Sequence, residues 1–170
     1  MYSPTAYFLA STLTAFLLVW FYPIVVAVVS FWFFDFADHS FLAMVYYALA
    51  LSANCYAGCY FGLIFGIMCR DPIMAQNLLN AAITILNFGA GLLANTGSGA
   101  NWLIKFISWI SPVRYGAELV MRRVLAGEPS WFADTALNYL GYTYGYETCS
   151  LVLVGMIAFL FLVGWAAICF

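Results

Sequence analysis

The sequence predicts an all-α, polytopic membrane protein with about four transmembrane helices and an additional pair of re-entrant or external helices. Three observations predict this class. Of 170 residues, 66% are hydrophobic and 7% are charged, whereas a soluble domain carries about a quarter charged residues. Aromatic residues make up 20%, an excess that is typical of the interface between lipid and water. Finally, the chain contains apolar runs long enough to cross about 30 Å of hydrocarbon as helices.

The first apolar run, residues 5–34, contains no charged residue. As a single helix it would be about 45 Å long, which exceeds the hydrocarbon thickness of about 30 Å. We therefore expect an interfacial approach helix over residues 5–15, followed by a span over residues 16–34 that is kinked at Pro23. The polar residues 35–40 mark the end of this span.

The second span covers residues 41–68, and small residues recur along it at every fourth position. The set is Ala50, Asn54, Gly58, Gly62 and Gly66. Small residues at this spacing allow two helix backbones to approach closely, which drives helix association in lipid. We therefore expect Gly58, Gly62 and Gly66 to serve helix packing, in preference to the alternative of a pore lining.

The third span, residues 72–94, begins at Pro72, whose missing N–H is tolerated in a first helical turn. Polar or small residues recur along it three or four positions apart, so they share one helical face. They are Asn77, Asn80, Thr84, Asn87 and Gly91. Amides gain nothing from lipid, so this face should contact either protein or a water-filled path. The residues alone leave both alternatives open. We expect the rest of the chain to be organised around this span.

Residues 95–148 form a segment that we expect to be external or re-entrant. Within it, residues 102–110 and 113–126 predict two short helices. Ser111 and Pro112 are a suitable N-cap and first residue for the second of these helices.

Two further patterns follow in the same region and beyond it. Glu118 and Arg122 lie four positions apart and can pair, which contributes about 0.2–0.5 kcal/mol at an exposed site. Four tyrosines then cluster as in an interfacial aromatic belt; they are Tyr139, Tyr142, Tyr144 and Tyr146. The fourth span covers residues 149–170.

No arrangement for catalysis or metal binding is apparent. Catalysis within a membrane needs paired ionisable groups inside the spans, but Asp35 and Arg70 lie at span ends. The five cysteines and one histidine lack the spacing of a four-ligand metal site. The absence of a basic patch argues against nucleic acid. We therefore expect no catalytic residue, no metal and no nucleic-acid partner.

Three motifs occur in order along the chain. Residues 7–10 read YFLA and precede Pro23, residues 88–95 read FGAGLLAN, and residues 109–118 read WISPVRYGAE. This order resembles the second half of the membrane domain of G-subfamily ABC transporters (the White and breast-cancer-resistance type), which has a type-2 exporter fold. The last motif is similar to the family's W-x-S-P-x-x-Y-x-x-E signature. Its residues here are Trp109, Ser111, Pro112, Tyr115 and Glu118.

The resemblance implies roles for particular residues. The four spans correspond to the family's third to sixth helices, and residues 95–148 to its external segment with re-entrant helices. The candidates for lining a substrate cavity at a dimer interface are Asn77, Asn80, Thr84 and Asn87, and those for an outer plug are Leu92 and Leu93. A count of basic residues would place residues 102–146 in the cytosol, whereas the resemblance places them outside, and we adopt the latter orientation.

By this resemblance, the chain is the membrane-spanning permeation part of an ATP-driven exporter of lipids, sterols or amphipathic organic compounds. Its membrane is the plasma membrane or an internal membrane. The implied partners are the lipid bilayer, another half-transporter membrane domain in a homo- or heterodimer, and a nucleotide-binding domain. No G-x-x-x-x-G-K-[ST] loop is present, so we expect no enzyme activity and no cofactor on this chain. ATP and Mg²⁺ belong on the nucleotide-binding domain.

The chain also departs from the family pattern. Its approach helix lacks the usual Lys and acidic residue, only Cys149 lies where the family has an external disulfide pair, and the family's first two helices have no counterpart. Two alternatives therefore stand beside the exporter. One is a non-transporting four-span scaffold built on the glycine-containing helix, and the other is an incomplete gene-model fragment.

Overall fold

The computed structural model describes residues 3–33, 40–91 and 101–169. Within these ranges the elements are helical, which confirms the all-α prediction, and the structure contains no described strand. In chain order they are α1 (Pro4–Phe33), α2 (Phe41–Met68), α3 (Pro72–Gly89), α4 (Trp102–Ile110), α5 (Pro112–Val124), a 3-10 turn (Leu125–Gly127), α6 (Ser130–Leu140) and α7 (Tyr146–Cys169).

Helix α1 is continuous, so the approach helix and the first span that we expected as two elements form a single helix. Polar side chains do not interrupt it, because Thr14 Oγ1 donates to the carbonyl oxygen of Ala10 at 2.9 Å and is satisfied within the helix. Pro23 lies inside the helix without ending it, and its side chain is buried. The predicted turn at residues 35–40 lies outside the described residues except for Ser40.

Three described helices are long and apolar enough to cross a membrane: Thr5–Phe33, Phe41–Met68 and Tyr146–Ile168. This pattern is that of an integral, multi-pass membrane protein. Helix α3 is not among them, because its glutamine and three asparagines lower its hydropathy over only 18 residues. The span over residues 72–94 therefore remains a prediction.

The turns between the first three helices have side-chain caps. Ser40 Oγ accepts from the backbone N–H of Ala43 at 3.2 Å at the start of α2. Asp71 Oδ1 accepts from the N–H of Ile73 at 3.0 Å at the start of α3, and Pro72 is the first residue of that helix, as predicted. Such caps satisfy amide groups that have no partner within the helix.

Helix α2 is the centre of the described bundle, because it packs against α1, α3, α5 and α7. The expectation that the chain is organised around the third stretch is therefore wrong. The first core cluster consists of Ala50, Tyr115, Leu119, Cys149 and Leu153. The second consists of Ala57, Tyr60 and Leu160. Ala50 and Ala57 of α2 lie in these clusters, where small side chains allow neighbouring helices to approach closely.

The segment between α3 and α7 is more helical than predicted. Helix α4 has the expected bounds, and α5 begins at Pro112 and ends in a 3-10 turn. Helix α6 was not predicted; it ends at Gly141, whose φ of 74° is the left-handed C-terminal geometry that glycine adopts easily. The clustered tyrosines differ in solvent exposure, since Tyr139 is 68% exposed whereas Tyr142 is 1% exposed. Tyr142 is therefore not part of an aromatic belt.

Candidate functional site

The polar face of α3 is not covered by the described helices of this chain. Asn77, Asn80 and Thr84 are exposed, and Asn87 is half-buried. The side of α3 that meets α2 is a different one, where Leu79 lies 3.4 Å from the position that a Cβ on Gly62 would take. The structure thus places Asn77, Asn80 and Thr84 along one open face, with Asn87 half-buried at its end.

Hydrogen bonds on this face are local to the helix. Thr84 Oγ1 donates to the carbonyl oxygen of Asn80 at 2.7 Å. Gln76 Nε2 lies 3.4 Å from the side-chain oxygen of Asn80. Neither bond joins another helix, so these two contacts leave most of the donor and acceptor capacity of Asn80 available.

The glycines of α2 lie beside shallow cavities. A Cβ added at Gly58 or Gly66 would meet no atom within 4 Å, whereas one at Gly62 would touch Leu79. Gly58 borders a gap of about 450 Å³ between α1 and α2. No described residue packs directly against Gly58 or Gly66, so a packing role for these two glycines remains a prediction.

The proposed plug residues Leu92 and Leu93 lie outside the described residues. The last described position before them is Gly91, which is buried and has a φ of 83°.

The motif of residues 109–118 forms the junction between α4, α5 and α3. Ser111 is the N-cap residue of α5, as predicted, but its hydroxyl donates to the carbonyl oxygen of Leu86 in α3 at 2.9 Å rather than capping its own helix. Tyr115 OH donates to the carbonyl oxygen of Trp109 at 3.1 Å, while the Trp109 side chain is 63% exposed. Pro112 is buried as the first residue of α5.

Glu118 is fully buried and pairs with Arg122. Arg122 Nε and Nη2 donate to Glu118 Oε1 at 3.2 Å and 2.9 Å. The predicted pair forms, and it is partly desolvated because the Glu118 side chain is buried and that of Arg122 is 26% exposed. Removing one partner of a buried ion pair costs about 3–5 kcal/mol, far more than at an exposed site.

Two arginines of α5 bind the turn between α6 and α7. Arg114 Nη2 donates to the carbonyl oxygen of Gly141 at 2.8 Å, and Arg122 Nη2 donates to that of Tyr142 at 3.2 Å. Cationic donors are favourable at a helix C-terminus because its final carbonyl groups carry partial negative charge. We call Arg114, Glu118, Arg122, Gly141 and Tyr142 the α5 cluster.

Tyr142 connects this cluster to α3. Its hydroxyl donates to the carbonyl oxygen of Ala90 at 2.7 Å, across 52 positions of sequence. Burial raises the pKa of Tyr142 to about 12, with a further contribution from the nearby Glu118 carboxylate and opposition from Arg114. The phenol therefore remains a donor at neutral pH.

Buried polar atoms near α5 that have no hydrogen-bond partner among the described residues include Asn54 Oδ1, Glu118 Oε2 and Arg114 Nε. Asn54 projects from α2 directly against Gly116, where a Cβ would overlap the Asn54 amide. Gly116 therefore permits the close approach of α5 to α2.

An apolar groove of about 620 Å³ lies on the other side of α2, between α1, α2 and α7. Its wall includes Phe16, Trp20, Tyr56, Tyr60 and Leu153. Tyr56 and Tyr60, the α2 residues of this wall, lie on the side of the helix opposite its glycines by helical periodicity. The groove therefore lies apart from the polar face of α3. In the described part of the chain, no group of three or more His, Cys, Asp or Glu side chains is placed to hold a metal ion.

Sequence reasoning missed three components of the α5 cluster. Arg114 lies inside the motif of residues 109–118, and a charged residue in so apolar a chain could have indicated a buried polar contact. Gly141 was also readable, as a helix-ending glycine after residues 130–140. Tyr142 had no distinguishing signal, because it is one of four closely spaced tyrosines in residues 139–146.

Comparison with known proteins identifies the family. A family model described as "ABC-2 type transporter" matches residues 1–124 of the 170. No curated protein matches the chain. Membrane domains of this kind are transmembrane components that are not themselves catalytic, and they work with an ATP-binding domain and as dimers. With its apolar helices, and with most of its length matched, the chain belongs to the ABC-2 type transporter family.

Proposed function

We propose that this chain forms part of the permeation path of a G-subfamily-like ABC exporter of lipids, sterols or amphipathic organic compounds. The chain supplies one wall of the path, and a second membrane domain supplies the other. An ATP-binding domain on a separate region or chain drives the cycle, because only a ligand with different affinity for two states shifts their populations.

The uncovered polar face of α3 carries this proposal. A row of amide and hydroxyl groups facing hydrocarbon would lose its hydrogen bonds to water, at several kcal/mol for each unsatisfied group. Here Asn77, Asn80 and Thr84 are exposed and receive no cover from the other described helices. A water-containing path between two copies satisfies these groups, whereas lipid does not.

The G-subfamily assignment is supported by the junction of α4 and α5. The W-x-S-P-x-x-Y-x-x-E residues there form connected contacts: Ser111 reaches α3, Tyr115 reaches Trp109, and Glu118 pairs within α5. Ser111 thus joins the two short helices to α3, and this contact supports the assignment.

Transport by a double variant tests the proposal. In the transporter assembled with its ATP-binding domain in proteoliposomes, we expect Asn80→Leu with Asn87→Leu to lower kcat/KM for a fluorescent lipid or dye. The loss should be about tenfold, as expected from losing two hydrogen bonds of roughly 0.5–1.5 kcal/mol each.

The matched control is Ile73→Leu with Ile85→Leu, on exposed apolar positions of the same helix. Export that is unchanged in the asparagine variant, or equally reduced in the control, would contradict a lining role for this face. A chain that never associates with an ATP-binding domain would instead favour the scaffold alternative.

A further inference from the structure

The apolar groove between α1, α2 and α7 is open along one side. The rim residues Phe16, Leu49 and Val154 are 47%, 42% and 64% exposed. Deeper in the wall, Ala53 is half-buried and Leu153 is buried. These three helices are long and apolar enough to cross a membrane, so the open side of the groove meets the hydrocarbon of the bilayer. Lipid chains therefore have direct access to the groove.

The length of the groove is close to the depth of one leaflet. Tyr46 and Tyr146 meet at one end of it, with ring centroids 5.9 Å apart. From that end the wall extends along α2 to Tyr60 and along α7 to Ile157. At about 1.5 Å per residue these stretches are about 21 Å and 16 Å long. One leaflet supplies about 15 Å of the hydrocarbon core, so a lipid chain that enters beside Tyr46 reaches the middle of the bilayer within the groove.

The volume of the groove suits a single hydrocarbon chain. A methylene group takes up about as much space as a water molecule, about 30 Å³. The groove of about 620 Å³ therefore holds roughly 20 carbon atoms. A further protein helix does not fit inside it, because a helix about 10 Å across and about 16 Å long occupies roughly twice this volume.

The two ends of the groove differ in polarity. At the Tyr46 end, the guanidinium of Arg123 lies over the Tyr46 ring, 5.6 Å from its centroid. Ser150 belongs to the wall near this end, and Glu147 is exposed in the first turn of the same helix. A guanidinium presents five N–H donors in a geometry that matches phosphate oxygens. An uncharged sterol hydroxyl gains less from such a donor than a phosphate does. The charge therefore favours a phosphate at this end.

We propose that the apolar groove binds one acyl chain of a glycerophospholipid, with the lipid phosphate at Arg123 and the second chain in the surrounding bilayer. The bound chain contacts α1, α2 and α7 together and stabilises their packing. Because the groove lies on the side of α2 opposite the glycines, this lipid site is separate from the polar face of α3. It therefore stands or falls independently of the proposed transport function.

Mass spectrometry of the intact protein, released from detergent, measures the bound lipid directly. The probes added to delipidated protein are palmitoyl-oleoyl phosphatidylcholine, the diacylglycerol with the same chains, and cholesterol. We expect one phosphatidylcholine per chain. Diacylglycerol should bind about tenfold more weakly, because it lacks the phosphate that forms charge-assisted hydrogen bonds. The proposal is wrong if no lipid binds, or if diacylglycerol or cholesterol binds as tightly as phosphatidylcholine.

Variants of the wall locate the lipid. Ala53→Phe fills the groove and should abolish the phosphatidylcholine adduct, and Arg123→Gln should weaken binding about tenfold. Ala10→Phe is the matched control, on an exposed position of α1 outside the groove, and should bind as the native chain does. If Ala53→Phe does not fold, Val154→Trp at the exposed rim replaces it. Equal binding by the native chain, the groove-filling variant and Arg123→Gln would place the lipid elsewhere and overturn the proposal.

Photo-cross-linking in native membranes distinguishes a lipid from a protein occupant. Benzoylphenylalanine in place of Ile157, a half-buried residue of the wall, reacts with C–H bonds of the molecule that lies against it. We expect the mass of the protein to increase by that of one phospholipid. An adduct with a protein segment instead would show that another helix covers the groove, which would contradict the lipid site.

Discussion

At the scale of single residues, the α5 cluster places charge inside an apolar protein and compensates it locally. Glu118 has no solvent exposure, and Arg122 donates two hydrogen bonds to one of its oxygens. Arg114 is 6% exposed and lies over the ring of Tyr144, 5.3 Å from its centroid. Compensation of this kind is needed because an isolated buried charge is highly unfavourable.

Tyr142 predicts a loss of stability at alkaline pH. Its folded-state pKa of about 12 lies above the ordinary value of 10.0, so the folded state retains the proton more tightly than the unfolded state does. The stabilisation that this proton gives to the folded state is complete below pH 10. It is lost as the pH rises from about 10 to 12, which lowers the free energy of unfolding by roughly 2–3 kcal/mol in total. The measurement is the free energy of unfolding by SDS at pH 8, 10 and 11.5.

Tyr142→Phe should reduce the alkaline decrease in the free energy of unfolding. Tyr139→Phe should leave that decrease as large as in the native chain. Some decrease will persist in both, because burial also raises the pKa of Tyr115. A Tyr142→Phe protein with the full native decrease would show that another group causes it.

At the scale of elements, the positions of α4 and α5 depend on two glycines where helices meet closely. Gly116 of α5 lies against Asn54 of α2, and Gly89 of α3 lies against the backbone of Ser108. The motif pattern identified the short helices, but not which residue of a neighbouring helix each glycine touches.

Gly89→Ala should destabilise the fold by about 1–3 kcal/mol, which is typical of overpacking. The added Cβ would meet the Ser108 backbone nitrogen at 2.9 Å, and a helix backbone cannot move aside as a flexible side chain does. Gly155→Ala in α7 is the matched control, since its Cβ would meet nothing within 4 Å. Thermal unfolding in detergent measures both; a Gly89→Ala protein as stable as the control would contradict the close α3–α4 contact.

The sequence anticipated elements better than contacts. The starts of α3 and α5 followed from Pro72 and Ser111–Pro112, because the residues at a helix start depend on the local backbone. The division of α1 at residue 15 was not observed, because helix length relative to the bilayer does not itself break a helix. Helix α6 was not predicted, because its 11 residues include several polar ones and give only a short apolar side.

At the scale of the whole molecule, α2 is central and α3 is peripheral, which leaves the polar face of α3 open to a partner. Position Asn80 lies on that face, whereas Leu17 of α1 is 69% exposed on an apolar surface suited to lipid.

The open face predicts a specific pattern of cross-linking between two copies. In a background whose five cysteines are replaced by alanine, Asn80→Cys should form a dimer in membranes with a thiol cross-linker long enough to span the path, and Leu17→Cys should not. Non-reducing gel electrophoresis measures the dimer fraction. Equal cross-linking at the two sites would show that the α3 face is not the interface.

By itself, the sequence determined the membrane class, the all-α fold, most helix boundaries and the polar stripe of α3, because hydropathy, periodicity and capping depend on neighbouring residues. Only the tertiary structure decided that α2 is central, that Glu118 is buried, and that Tyr142 reaches Ala90 across 52 positions. Those outcomes depend on which helix faces meet, and local patterns of apolar residues are compatible with many such pairings in a chain that is apolar on nearly every side.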